Sequence, residues 1–153
     1  MKVEMVHENP TTTREAIASL EQQIGLILPS SYRAFLLSTN GGRPVLPTFP
    51  IVNLPLNPLG SVNHFFGITS NFEVYQLAWQ HHFHEGRIPP GLLLIAGNAG
   101  SDFICLDLRN AKERVVFWDY AHFWSTGEWR ESDLCFIANS FEEFLKSLRP
   151  NPY

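Results

Sequence analysis

The stretch Ile88-Pro-Pro-Gly-Leu-Leu-Leu-Ile-Ala-Gly-Asn-Ala-Gly-Ser-Asp-Phe-Ile-Cys-Leu-Asp-Leu108, followed after a polar break by Arg114-Val-Val-Phe-Trp-Asp119, decides the fold. Leu92–Ala96 and Phe103–Leu108 are short apolar runs of strand length on either side of a Gly-rich turn. Two such runs joined by Gly97–Ser101 predict an antiparallel hairpin with a longer than minimal loop. Val115–Trp118 supplies a third strand, and the segment closes on an aromatic residue and an acid.

Working outward, helix starts flank this centre. Thr12-x-x-Glu15, Ser70-x-x-Glu73 and Ser140-x-x-Glu143 each carry a capping box, in which a hydroxyl and a carboxylate satisfy the free N–H groups of a first turn. The first leads into Ile17, Leu20 and Ile24 and stops at Gly25. The second leads into the stripe Phe72, Tyr75, Trp79 and Phe83, ending near Gly86. The third leads into Phe141, Phe144, Leu145 and Leu148 before Pro150. A fourth helix starts at Pro29, turns Tyr32, Phe35 and Leu36 inward, and ends on Asn40-Gly41-Gly42, residues tolerant of left-handed geometry. Further strands are expected over Ile51–Leu54 and Phe65–Ile68. Helices at the ends and middle, with a meander between them, predict an α+β fold: one domain over residues 1–153, a mainly antiparallel sheet, and helices packed on one face.

Composition narrows the function. A chain of 153 residues suits one domain with a sizeable core. The net charge is −4, and the eleven Lys and Arg are scattered, which argues against direct nucleic-acid binding. The same acidity suits a basic partner such as a nuclease. Cys105 and Cys135 lie in apolar runs, where cysteine packs as a small hydrophobe, and two cysteines cannot complete a four-ligand zinc site. No segment approaches the ~18 apolar residues of a membrane span and no signal peptide shows, so a cytoplasmic location without membrane contact is expected.

Chemistry-bearing clusters are few. His81-His82-Phe83-His84-Glu85 has metal-ligand residue types at helical spacing, with His81, His84 and Glu85 able to share a face, but it lacks a HExxH arrangement. The Gly97–Asp102 turn lacks the Lys and following helix of a phosphate loop. Asp119 near His122 meets no nucleophile elbow, and Cys105, mid-strand, is expected to be inert. No cofactor and no catalytic residue is predicted. Trp118, Tyr120, Phe123, Trp124 and Trp129, interleaved with Asp119, Glu128, Arg130, Glu131 and Asp133, have the composition of a protein interface loop or, equally, of a strand end whose aromatics cap the core. The uncharged, Pro-rich segment from Pro44 to Phe72 is expected to be a loop interleaved with edge strands, its apolar residues serving plain packing or, as the lesser alternative, a second binding surface.

Five blocks in order resemble the SUKH superfamily, which includes the fungal cell-wall assembly regulators and many bacterial proteins. They are Leu28-Pro-Ser-Ser-Tyr-Arg-Ala-Phe-Leu36 closing on Asn40-Gly-Gly42, Ile88-Pro-Pro-Gly-Leu-Leu-Leu-Ile-Ala96, Phe103-Ile-Cys-Leu-Asp-Leu108, Val115-Val-Phe-Trp-Asp119, and Ile137-Ala-Asn-Ser-Phe-Glu-Glu-Phe-Leu145. The resemblance implies a non-catalytic immunity protein, acting as a monomer, that neutralises a protein toxin by covering it; such toxins are often nucleases. The alternatives are a scaffold adaptor of the cell-wall regulator type and, third, a small metal-assisted hydrolase. Asn98, Asp102, Asp119, Tyr120, Trp124 and Trp129 are the candidate partner-binding residues.

Overall fold

In the computed structural model, which describes residues 3–51, 59–98, 102–109 and 113–152, the expected hairpin forms the middle of the sheet. Its strands, numbered in chain order, are β6 (Leu92–Gly97) and β7 (Phe103–Asp107), followed by β8 (Arg114–Trp118). Around them stand β1 (Met5–Glu8), β2 (Gly42–Pro44), β5 (His64–Phe65) and β9 (Leu134–Ala138). The seven strands run in the order β1-β2-β5-β6-β7-β8-β9, every neighbouring pair antiparallel. The jump from β2 to β5 accommodates a separate two-stranded sheet, β3 (Thr48–Pro50) with β4 (Leu59–Ser61).

The class is α+β, as the sequence predicts. The helices are α1 (Arg14–Ile24), α2 (Ser30–Ser38), α3 (Leu77–Phe83), α4 (Ala121–Thr126) and α5 (Phe141–Ser147). Pairing puts Phe65, Ala96, Ile104 and Phe117 in one row on one face. There Phe65 meets Phe35 of α2 and Phe144 of α5 at ring-centroid distances of 5.1 and 6.2 Å. Tyr32 and Phe141 close this aromatic cluster edge to face at 4.9 Å. This is the expected helical layer. A further layer lies on the other face, where α3 covers part of the row Gly97, Phe103 and Trp118.

Local chemistry accounts for most boundaries. Ser140 caps α5, its Oγ accepting from Glu143 N at 3.1 Å, while Glu143 Oε2 accepts from Asn139 N. Gly25 ends α1 in the left-handed region at φ 72°. Gly42 opens β2 at φ 124°, where a Cβ would collide with the His7 carbonyl, so only glycine lets β1 pair this closely.

Several expectations are corrected. The α1 cap is Thr13, one residue beyond Thr12, its Oγ1 accepting from Ala16 N at 3.1 Å. No helix starts at Ser70: its Oγ accepts from Phe72 N, a single 3-10 turn follows over Glu73–Tyr75, and α3 begins at Leu77. The buried face of α3 is Leu77, Gln80 and then His84, while Phe72 and Phe83 are exposed. The periodicity was carried by polar residues whose partners are main-chain carbonyls: Gln80 Nε2 donates to Val74 O at 2.6 Å, and His84 Nδ1 to Gln80 O at 2.8 Å. The strand near Ile51 is Thr48–Pro50, and 52–54 lie outside the described residues. Within the Pro44–Phe72 segment, Phe49, Ile51, Val62, Phe65 and Phe66 are buried, so most of its described apolar side chains serve the core.

An aromatic groove on the second sheet face as the candidate functional site

The β6–β7 hairpin and the start of α4 meet through Asp102. Asn98 N donates to Asp102 O at 3.0 Å and Asp102 N to Asn98 Oδ1 at 2.9 Å, closing the hairpin. Asp102 Oδ1 in turn accepts from Tyr120 N at 2.9 Å, fixing the residue that caps α4. Burial pushes the Asp102 carboxyl above the usual carboxylate range; the Tyr120 N–H and the Asn98 side chain oppose this, and Asp119 reinforces it.

Tyr120 then leads an aromatic ladder. It stacks on Phe123 at 5.5 Å with an interplanar angle of 10°, meets Trp124 edge to face at 5.5 Å, and touches Phe103 at 5.6 Å. Its hydroxyl accepts from Arg87 Nη1 at 3.1 Å, and the Arg87 guanidinium lies 4.6 Å over the Phe83 ring. Opposite, α3 contributes Trp79 and Phe83, stacked at 4.9 Å and 9°. Between these walls lies a groove of about 510 Å³, floored by Phe66, Gly97 and Phe103 and rimmed by Asn98 and Asp102. His84 sits at its base within 4.9–6.0 Å of Phe103, Tyr120 and Trp118. Its bond to a carbonyl, which can only accept, places the proton on Nδ1. Burial lowers the His84 pKa; the Gln80 carbonyl opposes this and Arg87 adds to it.

Four of the six candidate residues, Asn98, Asp102, Tyr120 and Trp124, line this one groove. Tyr120 is buried and Trp124 is 73% exposed, so the first is scaffold and the second is offered to solvent. Asp119 and Trp129 lie outside the lining. Asp119 Oδ1 accepts from Ala121 N at 3.1 Å, and Trp129 follows α4 on the surface. The sequence expectation of an aromatic loop is corrected here: residues 121–126 are helical. The walls from α3 were missed because Trp79 and Phe83 read as core.

Reactive groups stay apart. Cys105 is fully buried and its thiol is pushed up by burial and by Asp107. His122 Nε2 lies 3.2 Å from Thr126 Oγ1, away from an acid–base pairing with Asp119. His84 turns inward while His82 and Glu85 pair at 3.3 Å, so the residues His81, His84 and Glu85 form no ligand set; among the described residues no group of three or more His, Cys, Asp or Glu could hold a metal. No helix of the described residues is long and apolar enough to cross a membrane.

Fold and groove together define a small α+β protein whose second sheet face displays solvent-facing aromatic side chains between two short helices. The chain belongs to the SMI1 / KNR4 family (SUKH-1), whose model matches residues 11–147, in agreement with the resemblance read from the five sequence blocks. It is also 30% identical over 157 residues to the SPbeta prophage-derived uncharacterized protein YokK of Bacillus subtilis (strain 168), covering 92% of this chain and 76% of that protein.

Proposed function

We propose that this protein is an immunity-type binding protein that neutralises a bacterial protein toxin by seating part of it in the aromatic groove, without catalysis. The carrying observation is Trp124, 73% exposed, facing the half-exposed Phe83 across a groove whose floor is already packed. Solvent-facing large aromatics backed by a rigid base are what interface anchors require, because little ordering entropy remains to be lost on docking. Asn98 and Asp102 add polar rim contacts, and the chain's net charge of −4 favours encounter with a basic toxin such as a nuclease. The mechanism is occlusion, in which the bound monomer covers the toxin's substrate-binding surface. Family membership supports this reading at the level of class.

The test is co-expression with the C-terminal module of a polymorphic toxin sought in the neighbouring genes. The wild-type chain restores growth, and the Trp124→Ala/Phe83→Ala double variant, equally folded by circular dichroism, does not. Equal protection by the double variant would remove the groove from the function. Cell death with the wild-type chain present would remove the immunity reading for that pair.

A further inference from the structure

The register of the sheet places a second set of side chains on the groove face, at its other end. His7 of β1 pairs with Arg43 of β2. The Gly42–Phe65 pair sets Arg43 opposite His64 of β5, which itself pairs with Gly97. Paired residues of an antiparallel sheet share a face, so His7, Arg43 and His64 form one transverse row continuing into Gly97, Phe103 and Trp118. The row is basic at the β1 end and aromatic at the β8 end.

These three side chains border a pocket of about 440 Å³, within the size range of small-molecule sites. Arg43 and His7 are exposed, and neither side chain forms an ion pair or hydrogen bond with any described residue. Elsewhere in the molecule the described arginines are mostly paired, as Arg33, Arg109, Arg114 and Arg130 show. Glu8, the carboxylate on the border, pairs with Gly42 and so takes the register of the opposite face. The remaining wall is rich in uncharged donors, including Asn9, Asn63, Ser70 and Asn71. Tyr75 stacks on His64 at 3.9 Å and 13°, holding that ring in place. Phe72, 65% exposed, stands beside Tyr75 at 5.9 Å with its ring open to solvent.

We propose that this pocket binds small molecules carrying a phosphate monoester, with Arg43 as the central contact and His7 and His64 flanking it. Adjacent strands stand about 4.8 Å apart, so a dianion centred on Arg43 is within reach of both imidazoles. A guanidinium matches two phosphate oxygens at once, and the Asn and Ser groups suit the hydroxyls of an attached sugar. Burial chiefly, and the neighbouring charges of His7 and Arg43 in addition, hold the His64 pKa down; a bound anion would offset only the second of these. This pocket and the aromatic groove share Asn63, His64 and Tyr75 along a common edge, whereas Arg43 and His7 border this pocket alone and Phe83 and Trp124 the groove alone, so variants at Arg43 test the phosphate site without altering the aromatic walls.

The experiment titrates the full chain with adenosine 5′-monophosphate, ribose 5-phosphate, inorganic phosphate and, as the neutral control, adenosine, following the His7 and His64 ring resonances by NMR. The phosphate-bearing probes shift both rings with dissociation constants between about 10 μM and 1 mM. Arg43→Ala weakens binding at least about tenfold and Arg43→Lys weakens it less, as expected when a bidentate contact becomes a point charge. Tighter binding of the nucleotide than of ribose 5-phosphate assigns Phe72 to the base, whereas equal binding of inorganic phosphate assigns the site to the free ion. No shift with any phosphate probe up to about 10 mM, unchanged binding by Arg43→Ala, or adenosine binding as well as its monophosphate would each overturn the proposal.

Discussion

Asp107 shows how a single residue can hold the end of the sheet. Its carboxylate is fully buried at the end of β7 and accepts from Arg109 Nε at 2.9 Å, Arg109 Nη2 at 3.0 Å and Arg114 Nη2 at 2.7 Å. Arg109 then reaches Glu131 at 2.9 Å, joining β7, β8 and the turn before β9. Burial alone would raise the Asp107 pKa, but the arginine hydrogen bonds outweigh it and bring it down to about 2. A carboxyl held below its unfolded value of about 3.9 contributes stability that is complete above that pH and is lost as pH falls toward 2. Asp107→Asn therefore lowers stability at neutral pH by about 2 kcal/mol and flattens the acid limb between about pH 4 and 2, read by urea denaturation at a series of pH values. An unchanged acid limb would contradict the assignment. His84 acts at milder pH. Its pKa is depressed, so the unfolded chain takes up a proton before the folded one, and stability falls as pH drops below about 6.5. His64 and His81, also lowered by burial, add to the same slope, so His84→Gln reduces it without abolishing it.

At the scale of elements, what was legible in the sequence depended on whether local chemistry and burial agreed. At α5 they agree: Ser140 caps the helix, and Phe141, Phe144 and Leu145 form its buried stripe. Ser140→Ala should cost about 1 kcal/mol, measured as a lower urea midpoint at unchanged slope. The β6–β7–β8 meander was legible for the same reason, because a strand buried on both faces is a continuous apolar run. At α3 they disagree, since Phe72 and Phe83, which look like part of a core stripe, are exposed, and Gln80 and His84 are buried with main-chain carbonyls receiving their protons. β1 escaped notice because Val6, His7 and Glu8 are exposed on an edge strand, leaving no alternation to read. α4 has no side-chain cap and only six residues, so nothing in its composition separates it from a loop. The candidate site was half legible accordingly. Asn98, Asp102, Tyr120 and Trp124 converge because the hairpin end hydrogen-bonds to the start of α4, while the opposite wall depends on a helix rotation that the sequence pattern misstates.

Across the whole molecule, the two sheet faces divide the labour. One is sealed by α2 and α5 through the Phe35, Phe65, Phe141 and Phe144 cluster and supplies the core. The other is only partly covered, by α3 and α4, and carries exposed aromatics over a packed floor. This asymmetry predicts that binding and stability separate in mutants. Trp124, largely in solvent, contributes little to folding, and its removal should leave the urea midpoint unchanged within about 0.5 kcal/mol. The most direct measurement of groove-mediated binding is calorimetric titration of a purified toxin module, one the wild-type chain protects against in co-expression, with the wild-type chain and with Trp124→Ala. The account predicts a one-to-one complex with the wild-type chain and a loss of about 2 kcal/mol, roughly thirtyfold in affinity, with the variant. A complex of equal affinity with both chains would contradict it.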